Sequence, residues 1–245
     1  MLALIAFIAL PGESSFRVFD NMFYRGMPNS ADAGMTRVDI LYSAVIWPKG
    51  ADKEALPDKG EFQRKVRAAS KSSGPFVLDV ETLPLKGEAA ERHFKILSTL
   101  ADWTHEALRG KPIGFYGYNT LSNIPKVQVE LAKRLADRID VFFPSMYTFN
   151  DDREAWEAKM KKEADEDRAL GPGKPVYFYL WPQYHDKTPK EFQYIPADEW
   201  RFELDTSRKY GDGIVIWSSS KFSWDDSNGW WEQTLDFVKQ LRSAN

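Results

Sequence analysis

Asp79 and Glu81 stand one residue apart at the end of the run Phe76-Val77-Leu78-Asp79-Val80-Glu81. The apolar residues before them read as a buried strand, in which side chains two apart face the same way. Both carboxyls are therefore expected at one strand end, pointing into one space, with Val80 packed on the other side. Two acids held so close resist ionising together, so one keeps its proton towards neutral pH. A carboxylic acid in that state can protonate the leaving oxygen of a glycosidic bond. The plainer alternative is a salt-bridged pair at a strand end, with Lys86 or Arg25 as the cation.

Aromatic residues make up 14% of the chain, with nine Trp, and their placement fits a sugar site. Phe23 and Tyr24 follow the first predicted strand, and Trp47 ends the second. Tyr116 and Tyr118 close the fourth, Tyr147 and Phe149 the fifth. Trp181 and Tyr184 follow the sixth, and Trp217 and Trp224 mark the seventh. Aromatic faces stack on the apolar faces of sugar rings, while the interleaved Asn21, Asn119, Ser145, Asn150 and Gln183 can bond hydroxyls. The expected sugar contacts are Asn21, Tyr24, Trp47, Tyr116, Tyr118, Trp181, Trp217 and Trp224; taken singly, each aromatic can equally pack against a helix.

Other residues rank lower. His93 and His105 fall within a predicted helix without a nearby acid pattern; His185 lies in a rim loop where it could touch substrate, although a solvated loop residue is the first reading. Three scattered His and no Cys give no ligand spacing, so neither a metal nor a cofactor is expected. Lys49 and Lys53 follow the second predicted strand and could meet an acidic sugar; the basic stretch from Arg64 to Lys71 reads as a solvated helix face.

Short apolar runs alternate with amphipathic ones. Strands are expected at residues 16–22, 41–47, 76–80, 113–117, 141–146, 176–180 and 214–217. Helices are expected at 61–70, 88–108, 126–136, 152–170, 198–210 and 230–242. Gly110-Lys111-Pro112, Gly171 to Pro175 and Gly211-Asp212-Gly213 end helices and launch strands. Near-continuous apolar strands between helices indicate a parallel sheet covered on its outer face. The expected fold is a distorted (β/α) barrel of seven strands, or eight if residues 2–9 join, whose site lies at the C-terminal strand ends. A doubly wound open sheet is the alternative, but Asp20 to Met27 is no Gly-rich phosphate loop.

The length of 245 residues suits one barrel domain over residues 13–245. A net charge of −3 argues against nucleic acid as partner. Residues 1–10 (MLALIAFIAL) are too few to span a bilayer as a helix, so no stable membrane insertion is expected. Residues 1–12 read as the remnant of a secretion signal or as an extra strand. The first reading places the protein outside the cytoplasm, secreted or periplasmic, and the second leaves it cytoplasmic. A monomer acting on a polysaccharide is expected.

The order Asp79-Val80-Glu81, Gly114-Phe115-Tyr116-Gly117-Tyr118, Phe143-Pro144-Ser145-Met146-Tyr147 and Gly213-Ile214-Val215-Ile216-Trp217-Ser218-Ser219 resembles the hyaluronidases of glycoside hydrolase family 56. The opening Phe16-Arg17-Val18-Phe19-Asp20-Asn21 is also similar to that family's first strand, so the likeness runs from about Phe16 to Leu241. The resemblance implies a distorted seven-stranded barrel and an endo-acting, retaining, substrate-assisted mechanism on a glycan containing N-acetylhexosamine. Glu81 would be the general acid and base, Asp79 would hold it protonated and orient the acetamido group, and Tyr147 would bond that group. Tyr116 and Trp217 would line the same subsite. Two features depart from the family pattern: Thr82-Leu83-Pro84-Leu85 follows Glu81, and the family's cysteines are missing.

The segment from Pro75 to Glu81 also resembles the muramidases of glycoside hydrolase family 25, with Asp20 as that family's acid on the first strand. The closing W-Q-Y-type strand of that family is not matched by Trp217-Ser218-Ser219. A third reading, of another class, is a carbohydrate-binding barrel without turnover.

Overall fold

The computed structural model describes residues 16–117 and 128–243. Its strands are β1 (Arg17–Asn21), β2 (Thr36–Arg37), β3 (Asp39–Tyr42), β4 (Phe76–Asp79), β5 (Ile113–Phe115), β6 (Tyr177–Leu180) and β7 (Gly213–Trp217). The helices are α1 (Ser43–Ile46), α2 (Lys59–Ala69), α3 (Ala90–Ala107), α4 (Val129–Ala136), α5 (Arg153–Leu170), α6 (Ala197–Tyr210) and α7 (Trp230–Ser243), with a 3-10 turn at Ser30–Ala33.

All the strand pairings are parallel and together they close a ring. One sheet runs β2-β1-β7-β6 and the other β3-β4-β5. The stretch 142–145 joins them through bridges from Phe143 to Tyr116, Phe142 to Val176 and Ser145 to Tyr179. On the far side β2 and β3 are one extended stretch around Val38, whose N–H bonds Asp20 O at 2.9 Å while the Asp39 N–H bonds Pro75 O at 3.1 Å. The result is a distorted (β/α) barrel.

Two expected strands differ. Residues 41–47 split: the strand ends at Tyr42, and Ser43–Ile46 makes one helical turn closed by Trp47 N–H on Ser43 O at 2.8 Å. A short apolar run has no period that separates a strand from a buried turn. Residues 141–146 form bridges rather than a ladder because Pro144 lacks the N–H a continuous ladder needs. The other strands and helices fall within about three residues of expectation, as helix-end assignment allows. The proposed extra strand at residues 2–9 lies outside the described residues.

Two apolar layers hold the ring. Phe76, Leu78, Phe178, Ile214 and Ile216 face outward onto helix residues such as Leu97, Leu100, Leu204 and Phe237. Phe19, Val77, Phe143, Tyr177 and Val215 fill the interior. Close packing makes one glycine obligatory, because a Cβ on Gly114 would sit 2.2 Å from Val141 O and 2.8 Å from the Phe143 ring. Asp58 and Asp152 cap α2 and α5, accepting from the Glu61 and Ala155 N–H groups at 2.8 and 3.0 Å. No described helix is long and apolar enough to cross a membrane.

Candidate functional site

The inward side chains climb each strand in steps of two towards one mouth. The rows run Val38-Ile40-Tyr42, Val77-Asp79, Tyr177-Tyr179-Trp181 and Val215-Trp217. Their lower members form the interior cluster, and their upper members line a cavity of about 510 Å³ at the C-terminal strand ends.

Asp79 and Glu81 both line this cavity. Asp79 ends β4 and is half-buried, while Glu81, just beyond the strand, is exposed. Their side chains hydrogen-bond each other. Burial pushes the Asp79 carboxyl up to about 7, and the neighbouring Glu81 charge and their hydrogen bond push the same way. Among the described residues no cation pairs with either acid. Arg25 turns instead to Lys221 O and Ser223 Oγ, both at 3.3 Å, and Lys86 is exposed without an ion pair among those residues. The salt-bridge alternative therefore does not describe this pair.

Phenols and indoles form the wall beside the acids. The Tyr116 hydroxyl donates to Ser145 Oγ at 3.1 Å, and the Tyr147 ring lies 6.3 Å from the Tyr116 ring. Burial pushes Tyr116 up to about 12 and Tyr147 well above its usual value, so both stay neutral donors. The Tyr147 ring lies 5.7 Å from Trp217 and 5.8 Å from Trp181, and the two indoles meet edge-on at 4.9 Å. Tyr42 stands beside Trp217 in the cavity lining, and burial pushes its phenol up from its ordinary value.

The barrel has known counterparts. It superposes on bee venom hyaluronidase with a TM-score of 0.65 at 15% identity, over 93% of this chain and 97% of that one. The same enzyme in complex with a hyaluronic acid tetramer gives 0.65 at 16%, over 93% and 96%. The endo-beta-1,4-mannanase of Thermotoga petrophila gives 0.57 at 12%, over 95% and 72%. The fold is the one these glycoside hydrolases share. No family model matches the sequence, and no curated protein matches it.

Of the expected contact residues, Asp79, Glu81, Tyr116, Tyr147, Trp181 and Trp217 meet in the cavity. Four others do not line it. Tyr24 is buried, donates to Gln183 Oε1 at 2.7 Å and packs on Trp224 and Trp230. Trp224 lies in that cluster, 5.1 Å from both Trp230 and Trp231. Trp47 is buried with its indole N–H on Ala55 O at 2.9 Å, because the strand ended five residues earlier. Asn21 is fully buried beside a smaller hollow. Gln183 is likewise spent within the fold, accepting from Tyr24 and Trp181 and donating to Phe192 O. Tyr118 and Asn119 lie outside the described residues.

The cavity also holds residues that sequence reading passed over or ranked low. Tyr42 and Tyr179 line it, and counting by twos from Val38 and Tyr177 would have found them. His185 is not simply solvated: it lines the cavity with its ring stacked 4.5 Å from Phe149 and 5.7 Å from Tyr147. Lys221 lines the cavity, whereas Lys49 and Lys53 are exposed elsewhere. His93 is buried with Nδ1 2.7 Å from Pro84 O, and His105 Nε2 lies 3.1 Å from Arg138 O.

Proposed function

We propose that this chain is a retaining, substrate-assisted glycoside hydrolase acting within a polysaccharide that contains N-acetylhexosamine. The observation that carries the reading is the Asp79–Glu81 pair, without a cation among the described residues, inside an aromatic cavity at the barrel mouth. At neutral pH such a pair holds one proton, with burial favouring Asp79 in the free protein. Glu81, the exposed member, reaches the glycosidic oxygen and takes the proton across their shared hydrogen bond. Its transfer to the leaving oxygen lets the C–O bond break while the acetamido oxygen of the same sugar attacks the anomeric carbon. Both acids are then ionised. The Asp79 carboxylate sits beside the positive cyclised acetamido group, and Glu81 acts as base to deprotonate the water that reopens the ring, which returns the shared proton.

The remaining parts fall in place around that step. The Tyr147 hydroxyl bonds the acetamido oxygen, Tyr116 lines the same subsite, and Trp217 and Trp181 stack on sugar faces. Lys221 supplies a positive charge on the wall, which supports an acidic sugar such as a uronate next to the N-acetylhexosamine. The barrel shared with a hyaluronidase crystallised with a hyaluronic acid tetramer supports the same substrate class.

Reducing-end assays on hyaluronan, chondroitin, chitin oligomers and peptidoglycan test the reading. Cleavage of one of the first three, with inhibition by a thiazoline mimic of the cyclised intermediate, is the expected result. Cleavage of peptidoglycan without thiazoline inhibition would instead indicate a muramidase, and binding without turnover a carbohydrate-binding barrel.

A further inference from the structure

Phe192 has a backbone φ of +62°, in the left-handed region that bulky side chains rarely adopt. Such a conformation costs free energy and persists where its surroundings fix it, most often at functional sites. The surroundings fix it here. The Phe192 N–H donates to Tyr184 O at 3.0 Å, its carbonyl accepts from Gln183 Nε2 at 2.6 Å, and Gln183 pairs antiparallel with Tyr194. Gln183 is itself buried and accepts from Tyr24 and Trp181.

This strained position presents a ring at the cavity mouth. Phe192 lines the cavity and is 37% exposed. Among the described residues, the other large apolar side chains at least as exposed, Val45, Leu56, Phe149 and Leu235, do not line it. The Phe192 ring lies 5.1 Å from Phe222 and 6.0 Å from Trp181. Phe222, half-buried on the loop after β7, also lines the cavity, and its carbonyl accepts from the Arg25 N–H at 3.0 Å. In the order of strands around the ring, the loops after β6 and β7 lie across the mouth from β4 and its acids. The two phenyl rings carry no hydrogen-bonding group, so this patch offers an apolar face open to a visitor, with Lys221 beside it on the wall.

We propose that Phe192 and Phe222 form a stacking platform for the apolar face of a second sugar unit, next to the one whose bond is broken at the acidic pair. This rests on the cavity being a glycan site. Standing across the mouth from the acids, the platform takes no part in bond breaking. It adds affinity for a chain of more than one unit and selects a pyranose with one unsubstituted face.

The test is Phe192→Asn, which removes the ring and leaves a residue that tolerates the left-handed backbone. Phe192→Tyr, which keeps the aromatic face, is measured beside it. Turnover and binding are followed on hyaluronan and chitin hexamers, with thermal melting in parallel. Phe192→Asn should raise KM and the hexamer dissociation constant roughly 3- to 10-fold, with a smaller change in kcat. Phe192→Tyr should stay within about twofold of the parent, because the face is kept. The melting temperature of Phe192→Asn should be equal or higher, since backbone strain falls and the lost ring was partly exposed. Unchanged affinity and KM in Phe192→Asn, with the parent active, overturn the platform and leave the hydrolase reading standing. A loss in Phe192→Tyr as large as in Phe192→Asn overturns it too, since the aromatic face is then not what binds. Should Phe192→Asn melt markedly lower than the parent, the ring serves the packing of the fold and the proposal fails. A parent that binds but does not cleave overturns the hydrolase reading, and the platform is then judged by binding alone. A parent that does neither overturns both.

Discussion

The rings of Tyr147 and Trp217 lie 5.7 Å apart and 30° from parallel, although they belong to strand ends far apart in the chain. His185 also stacks on Tyr147, and Phe149 stacks on His185. One wall of the cavity is thus a pile of rings drawn from three strand ends, with the Tyr147 hydroxyl held at its edge. Trp217→Ala should open this wall where a sugar face would stack and cost about 1 kcal/mol or slightly more of binding. The expected outcome is a several-fold to tenfold rise in KM with the fold retained, read from steady-state kinetics and circular dichroism.

Glu81 is exposed, so changing its carboxyl to an amide leaves packing untouched. Glu81→Gln should lower kcat by roughly two to four decades while tetramer binding changes little. Unchanged turnover in this variant would remove Glu81 from the chemistry.

The Asp79 carboxyl is pushed up to about 7 from an unfolded value near 3.8, so between these limits the folded state binds the extra proton. Its contribution to stability is therefore full below about 3.8 and is lost as pH rises through 7. Activity needs the singly protonated pair, so kcat/KM should fall roughly tenfold per pH unit above about 7. Asp79→Asn should flatten the fall in melting temperature between pH 4 and 8 and lower turnover by about two decades or more. A wild-type activity profile that keeps rising beyond pH 8 would contradict the shared proton.

Among the described residues, Lys221 is the lysine on the cavity wall. Lys221→Met should raise KM for a uronate-bearing glycan by a few-fold to roughly tenfold, and the parent's affinity for that glycan should weaken with added salt. Values for neutral chitin oligomers should stay as they were; an equal loss on both would show that Lys221 acts through packing rather than charge.

Gly114→Ala tests the barrel rather than the chemistry. The added Cβ would lie 2.2 Å from a backbone oxygen, which cannot move aside as a side-chain end can. A loss of about 1–3 kcal/mol in denaturant unfolding is expected.

Much of this architecture could be read along the chain, because strand and helix periods and Gly-Pro punctuation are local properties. The same local rule, alternation by twos, placed Asp79 and Glu81 at one strand end and the cavity now holds both. Where a local rule had two outcomes, the sequence misled. The apolar run 41–47 could be strand or turn, and its ending at Tyr42 moved Trp47 into the packing and put Tyr42 in the site. Aromatics after a strand end faced the same ambiguity: Trp181 and Trp217 turned inward, whereas Tyr24 and Trp224 joined the cluster around Trp230.

Sequence by itself determined the order of elements and the spacing of the two acids, since each depends on residues within a few positions of one another. Only the tertiary structure decided which aromatics meet the cavity, that Lys221 rather than Lys49 or Lys53 brings the charge there, and that the Tyr179 side chain is fully buried. Those outcomes depend on where β1, β6 and β7 and their following loops converge. Contacts between segments distant in the chain carry no signature in either segment alone.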